Sequence, residues 1–90
     1  MLNQTLGSPH AGVRDWSLQI AMEYPERSLS GHFKRLLFSD RPDERLWAAY
    51  NLESVYSPEE DAEVLKEAAS SEDDPEGREV LTRTVARTDT

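Results

Sequence analysis

Cysteine is absent from this chain of 90 residues, which excludes disulfides, thiolate nucleophiles and every zinc site built on cysteine. Glycine is scarce: Gly7, Gly12, Gly31 and Gly77 stand singly, so there is no glycine-rich loop to cradle a phosphate. The only histidines, His10 and His32, lack acids at the helical spacing a metal site uses. The serines have no Gly-x-Ser-x-Gly elbow around them. The expected catalytic, cofactor-binding and metal-binding sets are therefore all empty, and the chain reads as a non-enzyme. No stretch approaches the roughly 18–20 apolar residues of a membrane span. The first residues, Met1 to Leu6, have neither a basic start nor an apolar run, so no signal peptide is expected and the expected setting is cytoplasmic.

What is present suits one small folded domain. Hydrophobic residues make up 37% of the chain and charged residues 31%, a balance that favours a packed core over disorder. The net charge of −8 is unevenly placed. Residues 1–57 carry seven acids against six Lys/Arg, a net of −1, while residues 58–90 carry eleven against four, a net of −7. Such a field repels phosphate backbones and favours a basic protein surface, so nucleic acid is not the expected partner. Eight arginines against two lysines hint at a GC-rich, bacterial source.

Cap and turn signals divide the chain into five predicted helices. Ser8-Pro9 offers a cap followed by proline at the first helical position. Val13, Trp16, Ile20 and Tyr24 then recur at helical steps, widened by Leu18, Ala21 and Met22, until Pro25 ends the run. Leu29, Phe33, Leu36 and Leu37 mark a second helix that stops at Ser39-Asp40. Pro42, Pro58 and Pro75 open three more, each behind a capping residue or acid. Nothing alternates with period two for long enough to form a strand. The domain is expected over residues 8–87, with tails at 1–7 and 88–90.

The chain also repeats itself. Arg14-Asp15-Trp16 matches Arg45-Leu46-Trp47 at an offset of 31, and Asp73-Asp74-Pro75 ahead of Arg78 begins a third unit 33 residues after Arg45. The pattern is two helical hairpins plus the first helix of a third, a stack in which each unit buries its apolar face against the next.

The stretches Val13-Arg14-x-x-Ser17-Leu18-x-Ile20-Ala21 and Arg45-x-x-Ala48-Ala49-x-x-Leu52, each with an acid–proline turn nearby, resemble the first helix of HEAT-type repeats. Glu44 and Gly77 stand where that pattern has a valine before the arginine. The resemblance implies a short all-α solenoid, a structural inter-repeat ladder for Arg14, Arg45 and Arg78, and a concave face lined by the second helices. It would place His32, Lys34 and Arg35 on that face, together with Glu63, Lys66 and Glu67.

From the residues themselves, the arginines are expected to bond helix-end carbonyls or acids such as Asp40 and Asp73, and Trp16 and Trp47, in equivalent positions, to pack between repeats. Phe38 lies off the apolar stripe beside Lys34 and Arg35, as a contact residue or as cover for the following loop. Ten acids crowd residues 59–79, including Asp73 and Asp74. Some cap helices, and the rest form either a solvated face or a patch for a partner. The functional expectation is a small acidic adaptor or regulator that docks a protein segment. The alternative is an inhibitor, such as a toxin immunity protein or antitoxin, whose acids 59–79 cover a basic active site.

Overall fold

A computed structural model describes residues 6–87. Within them run five α-helices: α1 (Ala11–Glu23), α2 (Ser30–Leu36), α3 (Pro42–Ser54), α4 (Pro58–Ser71) and α5 (Pro75–Ala86), with a 3₁₀ turn at Arg27–Leu29 ahead of α2. No strand occurs among the described residues, and none of these helices is long and apolar enough to cross a membrane. Three helices open on the prolines that the sequence marks, Pro42, Pro58 and Pro75, where a missing N–H costs nothing.

The first helix departs from that rule. It starts at Ala11 behind His10, and Pro9 stays outside it. The reason is local: Ser8 Oγ accepts from His10 N at 3.1 Å, and the Ser8 carbonyl is taken by Arg14 Nη1 at 2.8 Å. His10 O instead receives the first helical N–H groups, those of Val13 and Arg14.

The odd-numbered helices form one layer, with α3 packed between α1 and α5. The even-numbered helices lie against it, and the tightest sequential neighbours are α2 with α3 and α4 with α5. The short turns between those pairs make them antiparallel. One continuous core runs through the stack, with Leu18 and Ala21 from α1, Phe33 from α2, Ala49 and Leu52 from α3, Leu65 from α4 and Val80 and Leu81 from α5. Leu6 is fully buried in this core, so the packed unit begins at least two residues before the expected boundary at residue 8. The rest of the expected tails, 1–5 and 88–90, lies outside the described residues.

The stripe expected to form the core of α1 does not. Trp16 is 57% exposed and Tyr24 67% exposed, with Val13 also on the surface. Trp47, at the equivalent place in α3, does pack against the core. Helix α1 is apolar on two sides, and only the side bearing Leu18 and Ala21 meets α3. The packing expected of both tryptophans holds for Trp47 alone.

Candidate docking surface

Beneath the turns of the stack lies a repeated polar frame. In each unit an arginine in the second turn of the first helix reaches back six residues to a carbonyl oxygen. Arg14 Nη1 donates to Ser8 O at 2.8 Å, Arg45 Nη1 to Ser39 O at 2.7 Å, and Arg78 Nη2 to Glu72 O at 2.7 Å. The residue that offers the carbonyl also accepts, through its side chain, the backbone N–H two positions on. Ser8 takes that of His10, Ser39 that of Arg41 and Glu72 that of Asp74. The same local chemistry thus fixes all three helix entries.

Two of the arginines also bind a carboxylate from the next unit. Arg14 Nε donates to Glu44 Oε2 at 2.6 Å, and Ser39 Oγ bonds the same carboxylate. Arg45 Nε donates to Glu72 Oε1 at 3.0 Å and Nη2 to Glu72 Oε2 at 3.2 Å. The acids of this ladder are therefore Glu44 and Glu72. Asp73 contributes only at 3.6 Å, and Asp40, the other acid expected there, makes no ion pair among the described residues. Glu44 is fully buried. Burial by itself would raise its pKa, but the hydrogen bonds from Arg14 and Ser39 outweigh that and hold it below the usual carboxylate range.

A second buried acid ties the even-numbered helices together. Asp61 of α4 has no solvent exposure and accepts from Arg27 Nη1 at 2.5 Å, Arg27 Nη2 at 3.0 Å and Ser57 N at 3.0 Å, with Lys34 Nζ at 3.1 Å. Desolvation pushes its pKa up, yet the bonds from Arg27, Ser57 N–H and Lys34 bring it down in sum. Lys34, expected on an open binding face, is thus committed to a structural ion pair. Asp74 is likewise a helix cap, accepting from Gly77 N at 2.9 Å.

Above this frame the turn after α2 rises as a ridge. Phe38, 49% exposed, stands with Ser39 and Asp40 between two hollows. The larger, about 550 Å³, is lined by Leu6, Arg14, His32, Arg35, Phe38, Asp40 and Glu44 among others. Its neighbour, about 430 Å³, is lined by Leu37, Phe38, Asp40, Arg45, Glu72 and Asp73 among others. Each hollow therefore includes one ion pair of the ladder, and the aromatic ring divides them. Arg35 Nη2 lies 2.8 Å from His32 Nδ1. Burial, then the neighbouring Arg35 charge, lowers the His32 pKa.

Of the residues expected to contact a partner, the structure brings together His32, Arg35, Phe38 and Asp73 on this surface. It sets Lys34 and Asp74 to other duties. Glu63, Lys66 and Glu67 are exposed on α4, away from the two hollows. Along that helix Glu59, Glu63 and Glu67 follow at four-residue steps and form a solvent-facing acidic stripe. Sequence reading missed Asp40 as a shared wall of both hollows. It also missed the buried roles of Glu44, Asp61, Glu72 and Asn51. The signal available for Glu44 was its departure from the repeat pattern, an acid in a valine's place. Comparison of the chain with family models, with curated proteins and with solved structures returned no match.

Proposed function

We propose that this chain is a non-catalytic protein-binding module, a short HEAT-like adaptor or regulator acting in the cytoplasm, which docks a protein segment across the Phe38 ridge. One observation carries the reading: a half-exposed aromatic ring divides two preformed hollows whose walls are already fixed by hydrogen-bonded ion pairs. An exposed aromatic side chain on a rigid base is the usual anchor of a protein interface, because ring burial is gained at little conformational cost. The charges around it add selection, with Arg35 on one flank, Asp73 on the other and Asp40 shared by both. A bound segment matching this surface presents an apolar side chain to Phe38 and a cation to the acids.

The second reading is an inhibitor of a basic enzyme, such as a toxin immunity protein or antitoxin. It rests on the stripe Glu59, Glu63 and Glu67, in which Glu63 and Glu67 form no ion pair among the described residues. The two readings separate by surface and by salt. With a purified partner, docking on the ridge depends only weakly on salt in the wild type and is lost in Phe38→Ala. Inhibition through the stripe is instead lost in Glu63→Lys/Glu67→Lys, and its association rate falls steeply between low and physiological ionic strength.

A further inference from the structure

All ten lysines and arginines of the chain lie among the described residues, and seven of them hold an ion pair. Of the three that do not, Lys66 and Arg78 line one groove between α4 and α5, about 310 Å³ in volume. Its other walls are Ala69, Ser70, Thr82 and Val85. Residues 58–90 carry a net charge of −7, yet this groove has two cations and no acid on its walls. None of these residues borders the hollows beside Phe38.

The repeat shows what such cations receive. Lys66 stands 32 residues after Lys34, and Arg78 stands 33 after Arg45. The earlier pair takes its carboxylates from α4 and the turn behind it: Lys34 Nζ lies 3.1 Å from Asp61, and Arg45 Nε lies 3.0 Å from Glu72. Arg45 holds the Ser39 carbonyl at the same time, so a carbonyl bond like that of Arg78 to Glu72 O coexists with a carboxylate on one guanidinium. The apolar positions agree. Leu37, Ala49 and Leu52 are buried, whereas their counterparts Ala69 and Val85 are partly exposed and Thr82 is exposed.

We propose that this groove is a second docking site, which takes an acidic amphipathic helix of a partner protein. The helix lays apolar side chains on Ala69, Thr82 and Val85, and pairs one carboxylate with Lys66 and another with Arg78. Asp61 and Glu72, 11 residues apart, give the spacing of the two acids. A helix without them would leave two cations unpaired against apolar surface. A second copy lacks both acids, since Leu29 and Ser39 stand where α4 and its turn have Asp61 and Glu72. Asp61 is also held by Arg27, whose counterpart beside Lys66 is Glu59. Lys66 therefore holds its acid alone and binding is weak, with Kd on the order of 100 μM.

The probe is a synthetic peptide of residues 57–75, which contains Asp61 and Glu72, held helical by a side-chain cross-link between its positions 63 and 67. Titrated into the ¹⁵N-labelled full chain, it is expected to shift the backbone amides of Lys66, Ala69, Thr82 and Val85. Lys66 is exposed and outside every ion pair, so Lys66→Glu keeps the fold and is expected to weaken the peptide about tenfold. Asp61→Lys in the peptide should restore binding to that variant, and Asp73→Lys, which adds the same charge elsewhere, should not. Glu72→Gln in the peptide is expected to weaken binding about threefold through Arg78. No shift at up to about 1 mM peptide overturns the proposal, as do shifts centred on Phe38 or an affinity that Lys66→Glu leaves unchanged. Self-association of the chain that Lys66→Glu abolishes would make a second copy the occupant and overturn the acidic helix.

Discussion

A Cβ on Gly77 would stand 3.3 Å from both Cγ and Cδ of Glu72. The glycine opens the space through which Glu72 reaches Arg45, and so supplies from the turn the carboxylate that Glu44 supplies from a helix one unit earlier. Ordinarily Gly→Ala inside a helix gains about 0.5–1 kcal/mol. Here Glu72 has no freedom to retreat, since Arg45 holds both carboxylate oxygens and Asp74 N donates to one of them. Gly77→Ala is therefore expected to destabilise the fold by about 1 kcal/mol, and Gly77→Val by more. A urea midpoint that rises on Gly77→Ala would show that Glu72 is not fixed by these bonds.

The Arg14–Glu44 pair makes a sharper test of the ladder. Removing Arg14 leaves a carboxylate with no solvent exposure, one side-chain hydrogen bond from Ser39 and only the more distant Arg41 charge, whereas removing Glu44 leaves an arginine that is 20% exposed and still bonded to Ser8 O. Breaking a buried pair costs about 3–5 kcal/mol when the orphaned charge stays buried. Arg14→Met is thus expected to cost about 3 kcal/mol and Glu44→Gln about half that. The double variant should be less destabilised than the sum, and a double-mutant cycle read by chemical denaturation gives the coupling directly. Additive losses would contradict the pairing.

Acid should unfold the protein through three carboxylates. Glu44, Asp61 and Glu53 all have folded pKa values below their ordinary ones. For Glu53 the leading cause is its hydrogen bond from Arg83. In Glu44 and Asp61 burial opposes the shift and the cationic partners overcome it. A group whose folded pKa is depressed contributes stability that is present above its unfolded value, about 4, and is lost as pH falls through the folded value. The urea midpoint is expected to hold between pH 6 and 8, to begin falling near about pH 5 and to drop steeply below about pH 4. Asp61→Asn should flatten part of that drop. A stability maximum close to the isoelectric point near 4.6 would contradict this assignment.

Much of the fold is legible in the sequence because its punctuation is chemical. Pro42, Pro58 and Pro75 mark helix starts whether or not anything packs on them, and the spacing of Arg14, Arg45 and Arg78 sets the repeat. The outcome for α1 shows where that logic ends. Periodicity identifies an apolar face, but α1 has two, and only the neighbour α3 decides that Leu18 and Ala21 turn inward while Trp16 and Tyr24 do not. Buried polar residues are hidden for a related reason. Glu44, Asp61 and Asn51 look like surface residues of an acidic chain, and their burial depends on cations and carbonyls that arrive from up to 34 residues away. Of the candidate docking surface, Phe38 stood out because it left the apolar stripe. The hollows beside it form only when the turns of successive units come together.

Phe38 also provides the most direct test of function. Half of its surface is already in water, so Phe38→Ala should change stability by no more than about 1 kcal/mol. Affinity capture from the native host, run side by side with wild type and the folded Phe38→Ala variant and read by quantitative mass spectrometry, measures what the ring does. The account predicts a protein retained by the wild type and depleted at least about tenfold on the variant, the loss expected for a buried aromatic anchor. Equal recovery of every bound protein by the two forms would contradict it.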